Sequence, residues 1–124
     1  MSKAARSVFV FGIYVEGLSL VLIVAPNVLL RLFGVARTHE VWIRVLGVLV
    51  FNIGVYYLLA ARHDFRPIIV ASIPIRFGLM AFFVAFVLLD YADPAVLAFG
   101  VLDVATALWT IAALRADARA GIAA

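Results

Sequence analysis

An all-α fold follows from the sequence: an integral membrane, antiparallel four-helix bundle with a short interfacial helix between the first and second spans. Three observations predict it. Of 124 residues, 68% are hydrophobic and only 14% charged, with a mean hydropathy of +1.21, more apolar than an ordinary soluble domain. Apolar runs at 8–25, 42–61, 68–89 and 95–114 each approach the roughly 20 residues that cross a bilayer core. Short polar turns separate the last three, which makes neighbours antiparallel. One domain, 1–124, is expected.

Composition also excludes chemistry. With no cysteine, disulfides, thiolate metal sites and a cysteine nucleophile are out. The net charge of +3 and pI near 9.8 do not indicate nucleic acid, because the cations sit singly at segment ends and form no stripe. His39 and His63 fall at opposite membrane faces, so no metal site is expected. Ser7, Ser19 and Ser72 have no histidine at matching depth, and no catalytic residue is assigned.

The first segment, 8–25, follows Lys3 and Arg6 and precedes Pro26. Those flanks imitate a secretory signal with Ala25 at the cleavage point. The run exceeds an h-region of about 7–15 residues and Glu16 interrupts it, so a retained first span is expected. Next, 26–33 combines Pro26 at a first helical turn, apolar Leu29, Leu30, Leu32 and Phe33 around Arg31, and Gly34 as a left-handed cap. This pattern predicts a helix lying in the interface. Thr38 is expected to N-cap the next span, with Glu40 in its first turn and Trp42 at headgroup level.

The second span, 42–61, carries Arg44 near its start and Asn52 mid-span. Its Gly47 and Gly54, on one helix face, admit a close neighbour, and Tyr56 and Tyr57 approach the opposite surface. The third, 68–89, holds Arg76 near mid-bilayer, where a bare arginine costs roughly 2.5–3.5 kcal/mol. Pro74 is expected to kink it. The fourth, 95–114, ends in an alanine-rich tail. Lys3, Arg6, Arg62, Arg66, Arg115 and Arg119 share one side; Arg31, Arg37 and Arg44, with Asp90 and Asp93, take the other. By the positive-inside rule both termini are cytoplasmic, at a bacterial inner membrane.

Measured from the outer segment ends at about 1.5 Å per residue, Asp103 lies roughly 12 Å deep, Glu16 about 13–14 Å, Asn52 about 15 Å and Arg76 about 20 Å. Arg44, only about 3 Å down, reaches either Asp103 or lipid phosphate. The expected seams are Gly12, Glu16 and Ser19; Arg44, Gly47, Phe51 and Gly54; Ser72, Arg76 and Leu79; and Gly100, Asp103, Ala107 and Thr110, with Asn52 rotated off its stripe. A charged layer of Glu16, Arg76, Asp103, Asn52 and Arg44 is thus the expected ligand-binding site. It takes a lipophilic or aromatic molecule, with Arg76 on an anionic or carbonyl oxygen and the acids orienting the guanidinium. A quinone or another lipophilic molecule suits it, and no bound cofactor is required. The alternative is a non-catalytic structural or accessory subunit whose buried ions only hold the helices together. Proton or small-molecule transport is a third reading, without the inverted repeat of many transporters. Expected partners are the lipid bilayer and, through small-residue faces, a second copy or a partner membrane subunit.

Glu16-Gly17, Pro26, Phe33-Gly34, Arg44-x-Leu46-Gly47, Gly54-x-Tyr56-Tyr57-Leu58, Arg76-Phe77 and Gly100-x-x-Asp103 resemble small bacterial membrane proteins of the BphX-like type and, more loosely, the DoxX-like four-helix group. The first resemblance implies association with aromatic-compound degradation. The second implies accessory subunits near quinones or respiratory enzymes. Neither supplies catalytic residues.

Overall fold

In the computed structural model, which describes residues 1–121, the chain is a helical bundle with no strand among the described residues. The helices are α1 (Lys3–Val24), α2 (Pro26–Leu32), α3 (Trp42–Arg62), α4 (Arg66–Leu88) and α5 (Leu97–Arg119), with a 3-10 turn at Pro94–Val96. Among the described residues four helices are long and apolar enough to cross a membrane: α1, α3, α4, and α5 with its preceding turn. The single-domain expectation extends to 122–124, which lie outside the described residues.

The helices are longer than the apolar runs where polar groups satisfy their ends. α1 begins at Lys3 because Ser2 caps it, accepting from the Ala5 N–H at 3.0 Å, while the Asp117 carboxylate accepts from the N–H groups of Lys3 (3.1 Å) and Ala4 (3.0 Å). A carboxylate at a helix N-terminus answers otherwise orphaned donors and the positive dipole end together. Asp64, in the turn between α3 and α4, accepts from the Ser2 N–H at 2.8 Å and from its hydroxyl at 2.7 Å. Since Asp117 must reach α1, α5 continues past the expected end at 114 to Arg119. At the other end, Asp93 accepts from the Ala95 N–H at 2.8 Å and opens the 3-10 turn, so the regular helix starts at Leu97 instead of Ala95.

α2 occupies nearly the expected span, and Gly34 adopts the left-handed conformation (φ +69°) that ends it. Thr38 does not cap α3. The Asn27 side chain grips the Thr38 backbone from both sides, donating to its carbonyl at 2.9 Å and accepting from its N–H at 2.8 Å. That holds 38–40 in a loop, and α3 starts at Trp42 behind Val41, with no side-chain cap and no acid in its first turn. α4 runs through Pro74 as one continuous helix.

Close contact between α1 and α3 depends on missing side chains. A Cβ at Gly47 would stand 3.0 Å from the Ile23 backbone nitrogen and 3.0 Å from Leu22 Cβ, and one at Gly54 would strike the Glu16 carboxylate. Gly12 faces Leu58, and Gly100 of α5 faces Met80 of α4. The close neighbour expected at Gly47 and Gly54 is thus α1 of the same chain. The main apolar cluster gathers Ala4, Ala5, Val8, Phe11, Val15, Tyr57, Ala61, Ile69 and Ala113 around the first half of α1. Large apolar side chains such as Leu20, Leu49, Ile75, Phe82 and Leu108 are exposed on the outside, where a bilayer would be their solvent.

Candidate functional site: a buried arginine held by hydroxyls

Arg76 lies inside the bundle, only 1% exposed, and its ligands are neutral. Its Nε donates to the Ser72 carbonyl at 3.2 Å; its Nη2 donates to Ser72 Oγ at 2.8 Å and to Thr110 Oγ1 at 3.0 Å. Thr110 Oγ1 also lies 2.9 Å from Ser7 Oγ, so Arg76 Nη2 joins a hydroxyl of its own helix to a pair of hydroxyls from α1 and α5. The guanidinium carbon stands 4.7 Å from the centre of the Phe11 ring, close enough for a cation–π contact. Phe11 in turn packs edge-on against Tyr57, centroids 5.3 Å apart.

The direction of the side chain explains these partners. Helical side chains lean toward their own N-terminus, which carries the Arg76 head back one turn to Ser72. The same lean carries it away from the level of Glu16. Ser7 lies nine residues before Glu16 on α1, about 13 Å along the axis, and the expected single charged layer separates into two levels.

Each expected site residue has a definite place. Asp103, 9% exposed, lies in Coulomb range of Arg76 but makes no hydrogen bond with it. Glu16 does not answer Arg76 at all: its Oε1 is buried against Gly54 with no hydrogen-bond partner. Asn52 is exposed on the outer face of α3, because the buried stripe runs through Gly47, Gly54, Tyr57 and Ala61 and Asn52 lies on the opposite side of the helix, roughly 175° from its centre. Phe51, expected on the seam, stands at the edge of that stripe, roughly 75° from its centre, and is exposed. Arg44 points neither to Asp103 nor outward alone; its Nη1 donates to the carbonyls of Ile23 and, at 3.2 Å, Val24, closing the C-terminal end of α1.

Sequence reasoning missed four residues. Ser7, Phe11 and Tyr14 follow at four and three residues along one face of α1, a spacing that could have marked them. Tyr57 turns inward, 9% exposed, while Tyr56 alone faces out at 69%. Besides the Glu16 oxygen, two buried polar atoms stay unanswered within the described residues: Arg76 Nη1 and the hydroxyl of Tyr14, whose ring packs beside Phe11. Asp103 lies in Coulomb range of both side chains. Buried donors left without a partner are costly and rare in native proteins.

The fold and site define a small helical bundle with four helices long and apolar enough to cross a membrane and an arginine buried inside it. No protein-family model, no curated protein and no solved structure matches the chain.

Proposed function

We propose that the chain is an antiparallel four-helix membrane protein, both termini cytoplasmic, that binds the polar end of a lipophilic or aromatic molecule at Arg76. The unanswered Nη1 of a 1%-exposed arginine carries this reading. A guanidinium brings five N–H donors and cannot shed its charge. Here one nitrogen is left to hold an anionic or carbonyl oxygen, with the Tyr14 hydroxyl as a second donor and Asp103 balancing the charge. The rings of Phe11, Tyr14 and Tyr57 suit an aromatic body. Quinone-like molecules have that combination of carbonyl oxygen and flat apolar ring, and the resemblance to BphX-like and DoxX-like proteins agrees with it.

The competing reading is an accessory subunit in which Arg76 only ties helices together. The hydroxyl chain Ser7–Thr110–Arg76–Ser72 favours it, since it links α1, α4 and α5.

Mass spectrometry of small molecules retained by the detergent-purified protein separates the two. Arg76→Leu with Asp103→Leu removes both charges together, so that no lone buried ion is stranded. A lipophilic molecule held by the natural chain and lost from a still-helical double variant supports binding; equal retention by both refutes it.

A further inference from the structure

At the end of the bundle opposite the Ser2–Asp64–Asp117 cluster, a second, unrelated feature is built from cations. An open cavity of about 620 Å³ is lined by Ala25, Pro26, Asn27, Val28, Arg31, Gly34, Val35, Arg37 and Arg44. Three arginines border it and no carboxylate does. Its walls are fixed. The Asn27 amide clamps the loop at Thr38, Arg44 is anchored on the last carbonyls of α1, and Phe33 packs on Phe99 of α5 with centroids 4.9 Å apart. Arg31 and Arg37, in contrast, make no side-chain hydrogen bond among the described residues.

We infer that this cavity is a binding site for a phosphate-class anion, held by Arg31 and Arg37 with Arg44 behind them. Three like charges around one concavity repel one another, and an anion relieves that repulsion. Guanidinium groups also match the oxygens of phosphate in a bidentate fork. The cavity borders the ends of the apolar helices α1 and α3, which, on the four-span reading proposed above, falls at the depth of phospholipid headgroups. The volume accommodates a headgroup as well as a free anion. This site shares no residue with the Arg76 centre, and its test is independent of it.

The purified chain in a neutral maltoside detergent is titrated separately with inorganic phosphate and with dioleoylphosphatidic acid, and bound copies are counted by native mass spectrometry. Arg31→Gln/Arg37→Gln is compared with Arg115→Gln/Arg119→Gln, the same charge change at the other end. One bound copy of either probe is expected, with apparent affinity falling at least tenfold in the first variant and less than threefold in the second. Binding of the lipid alone assigns the site to a headgroup; binding of inorganic phosphate by itself assigns it to a free anion. No binding of either probe, or an equal fall in both variants, overturns the inference. Should the first variant lose helix by circular dichroism, Arg37→Gln, outside every helix, replaces it, and a several-fold fall is expected.

Discussion

Arg76 of α4 donates through Nη2 to Thr110 Oγ1 of α5 at 3.0 Å, and the same hydroxyl lies 2.9 Å from Ser7 of α1. Three helices thus meet at one oxygen. Thr110→Val keeps the shape and removes the oxygen, leaving one N–H of Arg76 Nη2 without its acceptor, while Ser7 keeps the Ala4 carbonyl at 2.7 Å. Losses of about 1–3 kcal/mol attend an unsatisfied buried group, although interhelical hydrogen bonds in membranes average nearer about 0.6. A thermal unfolding midpoint lowered in detergent is expected. Thr106→Val, one turn away, loses only bonds to its own helix and is expected to shift the midpoint far less.

Gly47 and Gly54 differ in what an added methyl would meet. At Gly47 the neighbours include the Ile23 backbone nitrogen at 3.0 Å; at Gly54 they are atoms of the Glu16 side chain, which can swing aside. Gly47→Ala should therefore destabilise by about 1–3 kcal/mol, as overpacking does, and Gly54→Ala by less. Chemical denaturation in mixed micelles checks the order. Glu16→Ala is expected to rescue Gly54→Leu in part and Gly47→Ala not at all.

Asp64 gives the fold a pH dependence at the end where α1 begins. The Ser2 hydroxyl, with the Ser2 N–H and the chain's N-terminus assisting, holds its carboxyl below the ordinary carboxylate range. A group whose pKa is lower folded than unfolded contributes stability that is fully present above the unfolded value, near 3.8, and is lost as pH falls through the folded one. The unfolding midpoint should drop as pH falls below about 4, the ordinary carboxylate range. Asp64→Asn should flatten that part of the profile, measured by melts between about pH 3 and 7.

Asn52 separates the observed arrangement from the one expected of the sequence. Because it is exposed on α3, Asn52→Leu should leave retention of a lipophilic molecule unchanged and cost no stability, as read by the same mass-spectrometric and melting assays. A loss of retention would return this residue to the site.

The four long helices were legible because each coincides with a long apolar run. The seams of α1, α4 and α5 were legible too: Gly12 and Ser19, Ser72 and Arg76, and Gly100, Asp103, Ala107 and Thr110 are all buried, as spacings of three and four require. Depth along each axis was a poorer guide to partners. It placed Arg76 with Glu16 by the height of the Cα atoms, whereas the side chain leans back toward Ser72 and finds hydroxyls. The caps were hidden for another reason: Asp117 and Asp64 act on α1 from 114 and 62 residues away, and no local pattern announces such a contact.

On the binding reading, one nitrogen of Arg76 remains available to a guest. Guanidinium ¹⁵N spectra of the detergent-solubilised protein, recorded with and without decylubiquinone, a short-chain quinone, test it most directly. If Nη1 takes a guest oxygen, an Arg76 resonance, assigned by its disappearance in Arg76→Leu/Asp103→Leu, shifts on addition while those of Arg115 and Arg119 stay in place. An Arg76 signal unmoved by a saturating excess of this quinone, while any retained native molecule is also absent, would contradict it.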